Sequence, residues 1–189
     1  MRYFETLETA RTILRPFRES DLPDMHGYCS QPGVGEAAGW KHHTSLEETR
    51  GLLRLAMETP GFYAVEYRPE GKAIGHFTLH HEPADGRENS VELGFVLNRD
   101  YHRRGLMKEI VREALGDLFA RGAEAVYAGC FGENGPSRGL IEACGFAFFR
   151  EYGYESSWLN RRIPVSEYVF RKTDWELLAG LGAEPIPPG

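Results

Sequence analysis

The chain has few cysteines, and their spacing argues against two classes of site. Cys29, Cys130 and Cys144 are odd in number and far apart, so they predict neither a disulfide framework nor a paired-cysteine metal knuckle. Such cysteine usage is typical of a reducing cytoplasm. Long apolar runs are also missing, and residues 1–8 contain no apolar stretch. We therefore expect neither a membrane span nor a signal peptide.

The chain also lacks an excess of basic residues. It has 22 Lys and Arg against 28 Asp and Glu, a net charge of −6, whereas a nucleic-acid-binding domain usually carries a basic surface. The sequence thus predicts no nucleic-acid partner and permits a cationic one. Its 189 residues, 41% of them hydrophobic and 12% aromatic, predict one globular domain over 1–180 and a Gly/Pro-rich tail over 181–189.

Hydrophobic periodicity predicts alternating strands and helices. The expected fold is α/β (mixed α+β), with a mixed, mostly antiparallel sheet and one strand–helix–strand crossover. Residues 31–39 are expected to form a glycine-rich loop. The predicted strands cover 12–17, 62–67, 73–81, 90–97, 125–130, 146–154 and 163–171, and the predicted helices cover 22–28, 46–57, 106–119 and 136–144.

The most informative segment joins a strand to a long helix. The strand Val91–Leu97 leads into the loop His102–Met107, and helical periodicity begins at once. Free N–H groups and the positive end of the helix dipole attract an anion at such a position, and Arg103, Arg104 and the flexible Gly105 suit a diphosphate. An ordinary basic turn before a surface helix is the alternative. With one glycine, the loop matches neither the dinucleotide-binding fingerprint nor the P-loop.

A histidine-rich strand offers a metal site that its spacing excludes. His76 and His80 are about 13 Å apart at roughly 3.3 Å per residue, so they cannot share one ion. His81 points away from the face that His80 shares with Glu82. We therefore predict no metal. Cys130 has the chemistry of a nucleophile, but a thiol in a buried strand more often serves as a small hydrophobic residue.

Several motifs together resemble the GNAT superfamily of acyl-CoA-dependent N-acyltransferases, and most closely its RimJ/RimL-type branch. His102-Arg-Arg-Gly-Leu-Met107 resembles the family signature Gln/Arg-x-x-Gly-x-Gly/Ala. The other matching segments, in chain order, are Leu14-Arg-Pro-Phe17, Gly39-Trp40, His43–Thr49, Ile74-Gly75, Val91–Phe95, and the set Asn134, Ser137, Leu140, Gly145 and Phe146. The resemblance covers residues 12–170.

The resemblance implies a six- to seven-stranded sheet with about four helices and a splayed V between its fourth and fifth strands, Val91–Leu97 and Ala125–Cys130. It implies acetyl-CoA as co-substrate, with pantetheine in the V beside a backbone that is often bulged in this family. The residues implied to bind it are Phe95, Val96, Leu97, His102, Arg103, Arg104, Gly105, Leu106, Met107, Asn134 and Ser137.

The resemblance also suggests how catalysis would proceed. Glu92 is the candidate general base for the amine; its alternative is pairing with a cation or ordering the substrate loop. Ser137 is the candidate that stabilises the leaving thiolate; its alternative is a helix N-cap. Three residues depart from the family pattern: His102, Met107, and Ile141, where many members have a tyrosine that acts as the acid.

The expected function is transfer of an acetyl group to a primary amine by direct attack in a ternary complex. The acceptor would be a small molecule or the N-terminus of a protein or peptide. A catalytically weak acyl-CoA-binding sensor is the alternative. We expect a cytoplasmic monomer or homodimer with no membrane partner.

Overall fold

The computed structural model describes residues 4–80, 89–157 and 160–180, which form one eight-stranded sheet in the order β1-β2-β3-β4-β5-β6-β8-β7. All neighbouring strands are antiparallel except β5 and β6, which confirms the mixed, mostly antiparallel fold. The strands are β1 (Leu7–Glu8), β2 (Thr12–Pro16), β3 (Phe62–Tyr67), β4 (Lys72–His80), β5 (Ser90–Leu97), β6 (Ala125–Phe131), β7 (Ala147–Ser156) and β8 (Arg161–Arg171).

Six α-helices flank the sheet in the described part of the chain, two more than expected. The predicted glycine-rich loop at 31–39 contains the short helix Val34–Ala37, which corrects that prediction, and the helix Lys172–Gly180 and the two-residue strand β1 were not predicted. The helices are α1 (Leu22–Cys29), α2 (Val34–Ala37), α3 (Leu46–Glu58), α4 (Leu106–Ala120), α5 (Gly135–Ala143) and α6 (Lys172–Gly180). The predicted tail at 181–189 lies outside the described residues, as do His81 and Glu82.

The two faces of the sheet bury separate apolar clusters. On one face, α4 presents Ile110, Ala114 and Leu115, all fully buried, as the helical spacing predicted. On the other face, α1 contributes Met25 and α3 contributes Leu53 to a second cluster. The sheet is thereby fixed from both sides, and its central strands hold their positions for the site.

A buried ion pair fixes the entry to α1. The Arg15 guanidinium donates two hydrogen bonds to the Asp21 carboxylate, at 2.7 and 2.8 Å, and a third to Glu66. Asp21 also accepts the backbone N–H of Arg18 at 2.8 Å. Both partners of the main pair are almost fully buried, so the loss of either would leave a desolvated charge.

The strands β5 and β6 separate, as the resemblance implies. Their parallel pairing runs only from Ser90 opposite Ala125 to Leu93 opposite Ala128, whereas β5 stays paired with β4 as far as Leu97. The last four residues of β5 therefore line an open V. Against β4 the strand keeps an unbroken register, without the bulge that is common in the resembling family.

The described residues include neither a membrane-spanning helix nor a cluster of metal-ligating side chains. None of their helices is long and apolar enough to cross a membrane. Across the same residues, no three His, Cys, Asp or Glu side chains are grouped as a metal would require.

Candidate active site

The start of α4 forms the wall of a cleft. Arg103 and Gly105 both have left-handed backbone angles, with φ of 59° and 74°, and the helix begins at the next residue, Leu106. The N–H of Glu109 bonds to the Gly105 carbonyl at 3.1 Å, so the N–H groups of the preceding turn have no intrahelical partner. Residues of this turn line the cleft, and the free N–H groups with the positive end of the helix dipole give this end of the helix the properties of an anion site.

The cleft has a volume of about 870 Å³ and brings together all eleven residues predicted to bind the co-substrate. One wall is the loop and first turn of α4, and the other is the start of α5. Val34 and Ala37 of α2 close a third side. The predicted set, Phe95, Val96, Leu97, His102, Arg103, Arg104, Gly105, Leu106, Met107, Asn134 and Ser137, is therefore one continuous surface.

The arginine next to Gly105 is held in place by its neighbours. Arg104 donates from Nη2 to the Asp100 carbonyl at 2.6 Å, and its guanidinium carbon lies 4.9 Å from the centre of the Tyr101 ring. Tyr101 is fixed in turn by a 2.7 Å hydrogen bond to Glu70, which raises the pKa of Tyr101 to about 12. The positive charge is thus oriented before any ligand arrives.

The backbone of β5 offers hydrogen bonds to the V. The N–H of Asn98 donates to the Ile74 carbonyl of β4 at 2.7 Å. Because successive backbone groups of a strand face opposite neighbours, the N–H groups of Phe95 and Leu97 face the gap. The Leu97 carbonyl lies 2.9 Å from His102 Nε2, and since a carbonyl only accepts, that ring nitrogen carries the proton.

The side chain of Asn134 has two partners and corrects one prediction. Its Oδ1 accepts the Ser137 N–H at 3.1 Å, so Asn134 is the N-cap of α5, and the cap alternative for Ser137 is wrong. Its Nδ2 donates to the Ala37 carbonyl at 3.0 Å. Asn134 therefore joins the start of α5 to α2 across the cleft. Ser137 lies at the third position of the helix and lines the cleft.

A second pocket of about 370 Å³ adjoins the first. Phe95, Val96, Asn134 and Ser137 line both, so the two pockets meet beside the V. Glu92 lines only the second pocket, on the strand that borders the V. The two residues chosen as catalytic candidates, Glu92 and Ser137, thus both line this second pocket.

Sequence reasoning missed the aromatic side of this second pocket. Trp40 precedes α3, Phe131 ends β6, and Tyr152 and Tyr154 lie on β7. These residues come from three separate stretches of the chain, and each alone is an ordinary aromatic residue. The alternation of tyrosines on the last hairpin was the one available signal, and its meaning depended on knowing which strand lies beside β8.

Residues 11–147 match the family described as the acetyltransferase (GNAT) domain. This match spans more than two thirds of the 189 residues. The chain belongs to the GNAT acetyltransferase family. The resemblance drawn from the sequence is thereby confirmed, and no curated protein matches the chain.

Solved GNAT structures share the fold over most of its length. A GNAT-family acetyltransferase from Bacillus anthracis has a TM-score of 0.79 at 21% identity, covering 89% of this chain and 99% of that one. Spermidine N-acetyltransferase from Vibrio cholerae, solved with CoA and spermine, has a TM-score of 0.69 at 18% identity, covering 87% and 97%. RimL, a ribosomal alpha-N-protein acetyltransferase solved with coenzyme A, has a TM-score of 0.72 at 17% identity, covering 88% and 98%.

In this GNAT chain, Ile141 is not available for chemistry. The side chain is 2% exposed and packs in the cluster beneath α4. Cys130 lines the second pocket, but burial raises the pKa of its thiol, which keeps it protonated and poorly nucleophilic. His76 also lines this pocket, where burial lowers its pKa to about 3. Its Nδ1 lies 3.2 Å from the Tyr28 hydroxyl.

Proposed function

We propose that this GNAT chain transfers an acetyl group from acetyl-CoA to a primary amine by direct attack in a ternary complex, and that it is of the RimJ/RimL type. The observation that carries the proposal is the meeting of two pockets at Phe95, Val96, Asn134 and Ser137. One pocket has a helix N-terminus and arginines, and the other contains a carboxylate. Donor and acceptor would meet where the two pockets join.

The larger cleft fits acetyl-CoA chemically. A diphosphate would accept hydrogen bonds from the free N–H groups around Gly105, aided by Arg103 and Arg104. The extended pantetheine would lie against β5, whose N–H groups at Phe95 and Leu97 face the gap. One of these donors would then stabilise the oxyanion as the thioester carbonyl is attacked.

Glu92 and Ser137 would handle the protons. Glu92 accepts a proton from the substrate ammonium, directly or through water, which frees the lone pair on nitrogen. Attack forms the N–C bond and gives a tetrahedral oxyanion, and collapse of that oxyanion breaks the C–S bond. The Ser137 hydroxyl donates a hydrogen bond to the departing thiolate, and the second proton on the nitrogen passes to that thiolate, which leaves a neutral amide and the CoA thiol. No acyl-enzyme is needed, because a thioester is activated and binding both substrates supplies much of the rate.

One observation favours a second function, an acyl-CoA-binding sensor with weak catalysis. Many members of the family have a tyrosine acid where this chain has Ile141, and that isoleucine is buried in the core. Should Ser137 fail to support thiolate departure, the donor cleft would still bind CoA, but turnover would be slow.

The test is thiol release from acetyl-CoA against a panel of amines and N-terminal peptides. Glu92→Gln should lower kcat steeply and leave CoA binding intact. Glu47→Gln is the matched control, since that carboxylate lies exposed on α3 with Arg50 as its partner. Unchanged turnover in Glu92→Gln would remove Glu92 from the mechanism. Tight CoA binding without turnover of any amine would favour the sensor.

We further propose that 1–180 is one N-acyltransferase domain acting in the cytoplasm as a monomer or homodimer. The single sheet joining β1 to β8 supports the domain. The net charge of −6 supports partners other than nucleic acid. Sedimentation of the intact chain measures the oligomeric state.

A further inference from the structure

We infer that the second pocket selects a primary ammonium carried a few bonds from an aromatic ring. The inference rests on the proposed function, because it takes this pocket as the acceptor site. The juxtaposition that carries it is a carboxylate on β5 facing a wall of aromatic side chains. Trp40, Phe131, Tyr152 and Tyr154 make up this aromatic wall.

Contacts within the protein hold the aromatic wall in place. Phe131 and Tyr154 pack with ring centres 5.8 Å apart and an interplanar angle of 38°. Gly39 lies so close that a Cβ there would come within 2.7 Å of Phe131 Cζ, so the backbone beside Trp40 fixes that ring. On the open side, Tyr152 and Tyr154 remain 38% and 43% exposed. Tyrosines this exposed beside a pocket offer apolar surface that a ring in the ligand would cover.

The carboxylate of Glu92 fixes where the ammonium would sit. Its Oε1 lies 3.7 Å from the place where a Cβ on Gly129 would stand, so the missing side chain on β6 leaves space beside it. Glu92 and Tyr152 line the same pocket, and burial first, then the charge of Glu92, raises the pKa of Tyr152. An ammonium at Glu92 therefore has its carbon skeleton directed along the rings.

Among the residues that the structure describes, the pocket offers a second ammonium no second carboxylate. Glu92 is the one carboxylate among the described residues that line the pocket. Glu167, on β8, is engaged by Arg150 at 2.6 Å. The same arginine lies 5.3 Å from the centre of the Tyr152 ring and places a positive charge there. These features favour an aromatic monoamine over a linear polyamine.

The test measures binding of amines to the chain saturated with CoA, by isothermal titration. The probes are 2-phenylethylamine, n-hexylamine and spermidine, with the peptides Phe-Gly-Gly and Gly-Gly-Gly. We expect the ring-bearing probe of each kind to bind about fivefold more tightly than its ringless match, in line with the strength of aromatic pairs. The stronger of the two ring-bearing probes then identifies the source as a free amine or a peptide N-terminus.

The variants separate ring recognition from charge recognition. Tyr154→Leu should abolish the ring preference, whereas Glu92→Gln should weaken all amines alike. Phe148→Leu is the matched control, because that ring is 58% exposed on the same strand and lines neither pocket. The Phe148→Leu variant should keep the preference for ring-bearing amines.

The outcomes of the two assays are distinct. Equal binding of ringed and ringless probes, tightest binding of spermidine, or a ring preference that survives Tyr154→Leu would each overturn the inference. If spermidine is also acetylated, the proposed function stands. Ring-selective binding without thiol release from acetyl-CoA would support this ligand class and overturn the proposed function.

Discussion

The side chain of Asn134 makes two hydrogen bonds, and their contributions to the free energy of unfolding can be measured separately. Asn134→Ala removes the cap of α5, which is worth about 1 kcal/mol. It also removes the bond from Nδ2 to the Ala37 carbonyl, worth about 0.5 kcal/mol for an exposed neutral pair. We expect the free energy of unfolding to fall by about 1.5 kcal/mol in total.

Asn134→Asp isolates the second bond. A carboxylate still accepts the Ser137 N–H and suits the positive end of the helix, but it cannot donate to Ala37. The aspartate variant should therefore lose only the smaller part of the stability. Hydrogen exchange should quicken at the amides of α2 in both variants, because α2 is no longer tied to α5.

Urea denaturation followed by circular dichroism gives the stabilities, and hydrogen exchange with mass spectrometry gives the local opening. Equal destabilisation in Asn134→Asp and Asn134→Ala would refute the value assigned to the cap. Unchanged hydrogen exchange in α2 would refute the inference that Asn134 links α2 to the start of α5 across the cleft.

Four further changes test other parts of the structure. Gly105→Ala should lower the free energy of unfolding by about 1 kcal/mol, because alanine is strained at left-handed φ, and calorimetry should find weaker CoA binding. Asp21→Ala should cost about 3–5 kcal/mol in urea denaturation by leaving Arg15 buried without its main partner; a loss under about 1 kcal/mol would contradict that reasoning. Gly129→Ala should fold normally, because its methyl meets only ordinary contacts, yet it should lower kcat/KM for amines with the CoA Kd unchanged; a changed CoA Kd would contradict the division of the two pockets. Burial lowers the pKa of His76 to about 3, whereas the unfolded group titrates at about 6.5, so the unfolded state binds the extra proton between these values. The contribution of His76 to the free energy of unfolding should therefore be present above about pH 6.5 and be lost as the pH drops toward 3, so that stability falls less steeply in His76→Gln.

The elements with strong local signals were predicted from the sequence almost to the residue. The strand Phe62–Tyr67 and the helix beginning at Leu106 follow from alternation, helical spacing and a glycine at the helix start. The helix Val34–Ala37 was missed because four residues among glycines carry no period. The helix Lys172–Gly180 was missed because no polar loop separates it from the preceding strand.

The sequence predicted the two pockets of the site to different extents. Nine of the eleven residues proposed to bind the co-substrate lie in the contiguous stretch 95–107, which joins a strand to a helix, so these nine were predictable together. The aromatic wall is assembled by tertiary contact. Phe131 on β6 and Tyr154 on β7 come together because these two strands lie on either side of β8 in the sheet. Position alone also could not tell whether Asn134 or Ser137 would cap α5, because both residue types suit that role.

The early end of pairing between β5 and β6 has a consequence for redesign. Hydrogen bonding into the V depends on where a ladder of main-chain groups stops, and exchanging a single side chain leaves those groups in place. The second pocket, by contrast, has its aromatic wall formed by the side chains of Trp40, Phe131, Tyr152 and Tyr154. A combinatorial library at these four positions should therefore yield enzymes with new acceptors that keep the original donor.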